Sequence, residues 1–153
     1  MMIKQLILAF ALMMGASAQE RARSCGPQIP YENHNQVDPR PLSFRELKGR
    51  VLSEAGEPAR EIGPVSGACL GLFSEEGHRL IMTATANEDG NFQFGSLAQG
   101  RYRLVVRANG LCVANIPLQI AATKSGRGKP KNKQLVVHMR PAGIDSCSYA
   151  DYK

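Results

Sequence analysis

Residues 101–107 read RYRLVVR, and this alternation constrains the fold more than any other feature of the chain. Tyr102, Leu104 and Val106 fall on one side of an extended backbone, and Arg101, Arg103, Val105 and Arg107 fall on the other. Successive side chains of a strand point to opposite faces, so this is a half-buried strand with one apolar and one mostly cationic face. Phe92 and Phe94 share a face in the same way, with Asn91 and Gln93 turned to water. Residues 79–86, RLIMTATA, place Ile81, Thr83 and Thr85 where they suit a pleated surface. Between that run and NFQF stand Asp89 and Gly90. Asp-Gly favours a reversal because glycine, and less readily aspartate, accepts positive φ. The two runs are therefore expected to form the arms of one hairpin.

Further strands are expected near residues 47–52, 65–73, 111–120 and 134–140, with turn-forming residues at 54–58, 75–77, 98–100 and 108–110 between them. Seven short strands with frequent reversals indicate an all-β, antiparallel-rich sandwich or barrel. No long 3.6-residue period runs through the segments after residue 18, so helix should be scarce. Residues 19–46 hold Pro27, Pro30, Pro39 and Pro41, which exclude a central strand and indicate an extended arm. Residues 141–153 read as an irregular tail.

The first 18 residues combine Lys4, an apolar run over 6–14 and the small residues Ala16, Ser17 and Ala18. This three-part pattern is that of a secretory signal peptide cut after Ala18. The apolar run is roughly half of the ~20 residues a membrane span needs. Cleavage leaves 135 of the 153 residues, one domain's worth of chain, in a secreted or periplasmic setting without a membrane span. Arg21, Ala22, Arg23 and Ser24 precede Cys25 and disfavour lipid attachment there. Cys25, Cys69, Cys112 and Cys147 form an even set, read in an exported chain as two disulfides. They are too widely spaced for a zinc site, and three connectivities are open.

Beyond residue 18 the chain has 18 basic and 13 acidic side chains, with Lys129, Lys131 and Lys133 concentrated in the segment KSGRGKPKNK. No aromatic residues interleave those charges as stacking surfaces, so no nucleic-acid partner is expected. Pro130 after Gly128 and Lys129 rules out a phosphate loop. Arg101, Arg103 and Arg107, together with Lys129, Lys131 and Lys133, make the candidate contact surface for an acidic partner. The plainer reading is that outward arginines on a strand are simply solvated.

Catalysis needs a nucleophile or metal with a base and an oxyanion donor in reach, and no such set is visible; no cofactor or metal site is read. His34, His78 and His138 each lack a paired acid or second histidine in the sequence, and His138 should point outward beside Val136 as an ordinary surface residue. The acidic turn NEDGN lacks the ligand series of a calcium loop. Lys48 finds no asparagine between 134 and 140 with which to form a cross-core amide, and is read as exposed. Tryptophan is absent, which gives little support to a sugar-binding platform of exposed rings.

The segments LKGRVLSEAGEPA, GACLGLFSEEGH and TATANEDGNFQFGSLAQGRYRLVVRANG resemble the carboxypeptidase regulatory-like domain, a transthyretin-like (prealbumin-like) sandwich. The resemblance spans residues 47–140 and is carried by Gly49, Gly56, Pro58, Ala68, Asp89, Gly90, Phe92, Phe94, Leu97, Gly100, Tyr102 and Gly110. It departs from the family at Ala98 and Gln99, where prolines are common, and in its longer basic loop. The resemblance implies a seven-stranded Greek-key β-sandwich with Tyr102 packed beside the two phenylalanines. It also implies that the strands bearing Cys69 and starting near Cys112 share a sheet but flank the 101–107 strand. A Cys69–Cys112 bridge would then have to cross about 10 Å between α-carbons, beyond disulfide reach. Cys25 and Cys147 would be free to staple arm and tail to the sandwich or to each other. Transthyretin-like hydrolases share this general fold, but the chain ends SCSYADYK where they carry Tyr-Arg-Gly-Ser. The function these observations imply is a non-catalytic accessory or binding module that contacts a protein, peptide or glycan. A small hydrolase is the alternative.

Overall fold

The computed structural model describes Cys25 and residues 41–121, 133–142 and 148–153. Cys147, Lys129, Lys131, His34, the signal segment and nearly all of the proline-containing arm lie outside the described residues. Among the described residues there are ten strands and no helix. They are β1 (Leu42–Phe44), β2 (Lys48–Ala55), β3 (Arg60–Pro64), β4 (Cys69–Ser74), β5 (Leu80–Thr85), β6 (Asn91–Gln93), β7 (Gly100–Arg107), β8 (Ala114–Ile120), β9 (Leu135–Met139) and β10 (Tyr149–Tyr152). One sheet has the order β1-β8-β7-β4-β5; the other runs β10-β9-β2-β3, with β6 also paired to β2. Both are mixed, since β1 lies parallel to β8 and β2 parallel to β9, while the other pairs are antiparallel.

The all-β expectation holds, and the strand count is corrected from seven to ten. Each addition lies where local sequence was read as irregular. β1 follows Pro41 directly, is three residues long and sits at a sheet edge, where a preceding proline costs no ladder hydrogen bond. β3 turns back along the end of β2. β10 draws the supposed tail into the second sheet, pairing Tyr149 with His138 and Tyr152 with Leu135.

Period two decides the interior. Tyr102, Leu104 and Val106 of β7, Ile116, Leu118 and Ile120 of β8, Leu135, Val137 and Met139 of β9, and Val51 of β2 meet Phe92 and Phe94 in one buried cluster. The phenylalanine rings contact edge to face at 6.1 Å. The Tyr102 hydroxyl donates to the Ala98 carbonyl at 2.9 Å, which satisfies the one polar atom this ring brings inside. A smaller cluster of Cys69, Phe73 and Val105 lies on the opposite face of the first sheet, against Cys25, Leu80 and Val113.

The expected hairpin between residues 79–86 and NFQF is also corrected. β5 belongs to the first sheet, whereas β6 pairs with β2 in the second, so the turn carries the chain between sheets. Its local chemistry is as the residues indicate: the Asn87 side-chain oxygen accepts from the N–H groups of Asp89 (3.1 Å) and Asn91 (2.8 Å), and Gly90 has φ of 75°. Phe92 is drawn to β2 because it stands opposite Gly49. A Cβ at Gly49 would run into the Leu135 carbonyl of β9, so the missing side chain is what lets these strands close together.

Candidate functional site

The cationic stripe is only partly open to solvent. Arg101 is exposed, but Arg103 has only 11% side-chain exposure; its Nε lies 3.3 Å from Glu75 and Nη1 donates to Asn115 at 3.4 Å. Arg107 is half-buried and also engaged. The reason is Val105: it shares their face and is fully buried in the small outer cluster with Cys25, so the middle of the stripe is covered. Lys133 is exposed and lies 4.4 Å from the centre of the Tyr152 ring. Lys48 pairs with Glu46 at 3.5 Å, as an outward residue would.

Cys25 and Cys69 form a disulfide that ties the arm to β4. Cys112 is disulfide-bonded as well, to a partner outside the described residues.

The densest grouping of chemically capable side chains lies on the outer face of the second sheet, around His138. Its outward direction agrees with the alternation along β9, but its reading as an ordinary surface residue is corrected. The side chain is 10% exposed, with Nδ1 2.6 Å from Glu54 Oε1 and Nε2 3.3 Å from Asp151 Oδ1. The Glu54 oxygen lies off the Nδ1–H direction despite its short distance, so that contact is Coulombic rather than an aligned hydrogen bond. Tyr149 stacks on the imidazole with ring centres 4.5 Å apart, and its hydroxyl donates to both Glu54 oxygens at 3.1 and 3.2 Å. Arg140 stands over the Tyr149 ring at 5.5 Å, with Nε 3.8 Å from Glu54.

These residues arrive from three strands. Glu54 ends the outward set of β2, the parallel register opposes Leu52 to His138, and the antiparallel register opposes His138 to Tyr149. Glu54 went unread as a partner because a parallel pairing joins it to a position more than eighty residues away, and Tyr149 and Asp151 because they lie in a segment read as an irregular tail rather than as a strand beside β9. The alternation of YADY was the one available hint, since it puts Tyr149 and Asp151 on one face.

Two carboxylates thus face an arginine and an imidazole. Burial raises the Tyr149 pKa above its ordinary 10.0, reinforced by the hydrogen bond to Glu54 and the charge of Glu54, and opposed by Arg140. The phenol therefore stays protonated near neutrality and acts as a donor, not as a nucleophile. Each imidazole nitrogen has a carboxylate oxygen beside it, Glu54 at Nδ1 and Asp151 at Nε2. Ser148, next to Tyr149, is fully buried and donates to the Cys112 carbonyl at 2.6 Å. Among the described residues no three acidic, histidine or cysteine side chains are placed to share a metal ion. The arrangement is that of a latch holding β10 onto β9 and β2. No family model, curated protein or solved structure matches this chain.

Proposed function

We propose that the chain is an exported, non-catalytic binding module of the carboxypeptidase regulatory-like, transthyretin-like class, a Greek-key β-sandwich contacting a protein, peptide or glycan partner through a sheet face or loops. The observation that carries the non-catalytic reading is the crowding around His138: the imidazole lies between Glu54 and Asp151 under the stacked Tyr149 ring, and the Tyr149 hydroxyl is engaged by Glu54. Export is supported by the Cys25–Cys69 disulfide, a bond that persists in oxidising compartments, and by the signal-like first 18 residues. The family assignment is supported by the sequence resemblance and by the placement of β4, β7 and β8 side by side in one sheet.

A small hydrolase is the second reading, favoured by the gathering of an imidazole between two carboxylates. The test is a hydrolysis screen of the purified, oxidised protein over ester, amide and cyclic-ureide substrates, with His138→Gln as control. The proposal expects no turnover by either protein. Turnover by the native protein that His138→Gln abolishes without loss of fold would replace it with the hydrolase reading. Export is checked separately by fractionating cells and sequencing the mature N-terminus, which should begin at Gln19.

A further inference from the structure

Besides the three-residue β6, four strands lie at the ends of the two sheets, and they differ in how they are protected from pairing. β1 is only three residues long, and its Ser43 N–H donates to the Tyr152 hydroxyl of β10 at 2.8 Å, so that side of the two sheets is closed. β3 carries Arg60, Glu61 and Pro64, and charge and proline both discourage strand addition. β10 carries Asp151, held by His138. β5 has no charge, proline or glycine: Leu80–Thr85 reads LIMTAT, among the described residues only β4 pairs with it, and its one irregularity is a register shift at Ile81, toward its start.

Its outer edge is also correctly presented for pairing. Ala86 donates to the Ala68 carbonyl and accepts from the Gly67 N–H, so it faces β4. Alternation in an antiparallel ladder then turns Ala84 and Met82 toward β4 as well, and leaves the backbone groups of Thr85 and Thr83 directed outward; the β4–β5 register shifts beyond Met82, at Ile81. Ile81 is 39% exposed on this edge, and Met82 and Ala84 lie partly buried against the core.

We propose that β5 is a homodimer edge, pairing antiparallel with β5 of a second copy about a two-fold axis through Thr83. This register sets Thr83 against Thr83 and Met82 against Ala84, so inner faces meet inner faces and one sheet continues across both copies. A second copy is the occupant indicated by charge. The uncharged run is preceded by exposed Arg79 and followed by the exposed Glu88 and Asp89 of the next turn, so antiparallel pairing brings the cation of each copy toward the acids of the other. Shifting the axis by one residue to Met82 would centre the pairing on a residue whose backbone groups are already turned to β4. The inference does not depend on the proposed family or on export.

Sedimentation equilibrium of the purified, oxidised protein from low to several hundred micromolar tests this. The expected result is a monomer–dimer equilibrium whose dissociation constant rises at least tenfold in Thr83→Lys, which sets two ammonium groups beside the axis, and in Thr83→Pro, which removes an outward N–H. Ile62→Lys on β3 should leave it unchanged. Arg79→Glu should weaken the dimer, and combining it with Glu88→Arg and Asp89→Arg should restore it. Far-UV circular dichroism confirms that each variant is folded. A monomer at every concentration would overturn the proposal, as would a dimer that a folded Thr83→Lys protein retains or one that Ile62→Lys disrupts.

Discussion

Glu54 has 8% side-chain exposure, and its charge is tolerated because Tyr149, His138 and Arg140 all address it. Removing one partner of a buried pair leaves the others uncompensated, which costs about 3–5 kcal/mol. Glu54→Ala is therefore expected to lower unfolding free energy by that amount. Asp151→Ala removes a carboxylate that is 54% exposed and should cost less than about 1 kcal/mol. Urea midpoints at constant slope measure both, and equal losses would show that the buried carboxylate is not the centre of the latch. The phenol adds a pH dependence of definite sign. Folding raises the Tyr149 pKa above 10.0, so the folded state favours the protonated form. That stabilisation is complete below the unfolded pKa of about 10 and is lost as pH rises through the higher folded value. Stability should thus fall on the alkaline side, and Tyr149→Phe should flatten that fall while removing one late phenolate step from the ultraviolet titration.

Elements were legible in the sequence where one strand's own pattern decides its burial, and illegible where a distant partner decides it. The alternation in β7 and β9 reports their inner faces correctly, since Tyr102, Leu104, Val106, Leu135, Val137 and Met139 all enter the core. Pairing partners carry no such local mark. Thus β5 and β6 look like a hairpin, yet β6 joins β2, where Gly49 admits Phe92. β10 looks like tail because its four residues become a strand only when Tyr149 meets His138. The candidate site failed to show for the same reason: alternation turns His138 outward, but only the β2–β9 register supplies its acid. Turns, by contrast, are written in short peptides, and two glycines separate conformation from space. Gly110 has φ of +73° and nothing within 4 Å of where a Cβ would stand, so Gly110→Ala should cost only the left-handed penalty of about 1–2 kcal/mol. Gly90 has φ of +75°, and a Cβ there would also meet the Val51 carbonyl, so Gly90→Ala should cost distinctly more. Thermal and denaturant unfolding of the two variants checks this; equal costs would mean the turn shifts freely away from β2.

At the scale of the whole molecule, the two sheets share one apolar interior that holds no cysteine among the described residues, and the Cys25–Cys69 bridge sits outside it in the small cluster with Phe73 and Val105. The bridge should therefore set how stable the fold is without deciding what the fold is. It spans a sequence separation of 44 residues, and closing a loop of that length removes denatured-state entropy worth about 4 kcal/mol in the chain-entropy treatment. Measured values commonly fall below that limit, so the double variant Cys25→Ser, Cys69→Ser should lose about 2–4 kcal/mol while keeping its strand spectrum. Peptide mapping without reduction should find Cys25 joined to Cys69 in the native protein. With Cys112 also bonded and four cysteines in the chain, the second bridge should join Cys112 to Cys147. A Cys69–Cys112 peptide would contradict the sheet order, because β7 lies between β4 and β8. Loss of the strand spectrum in the serine variant would show instead that the interior alone is too small to hold the sheets together.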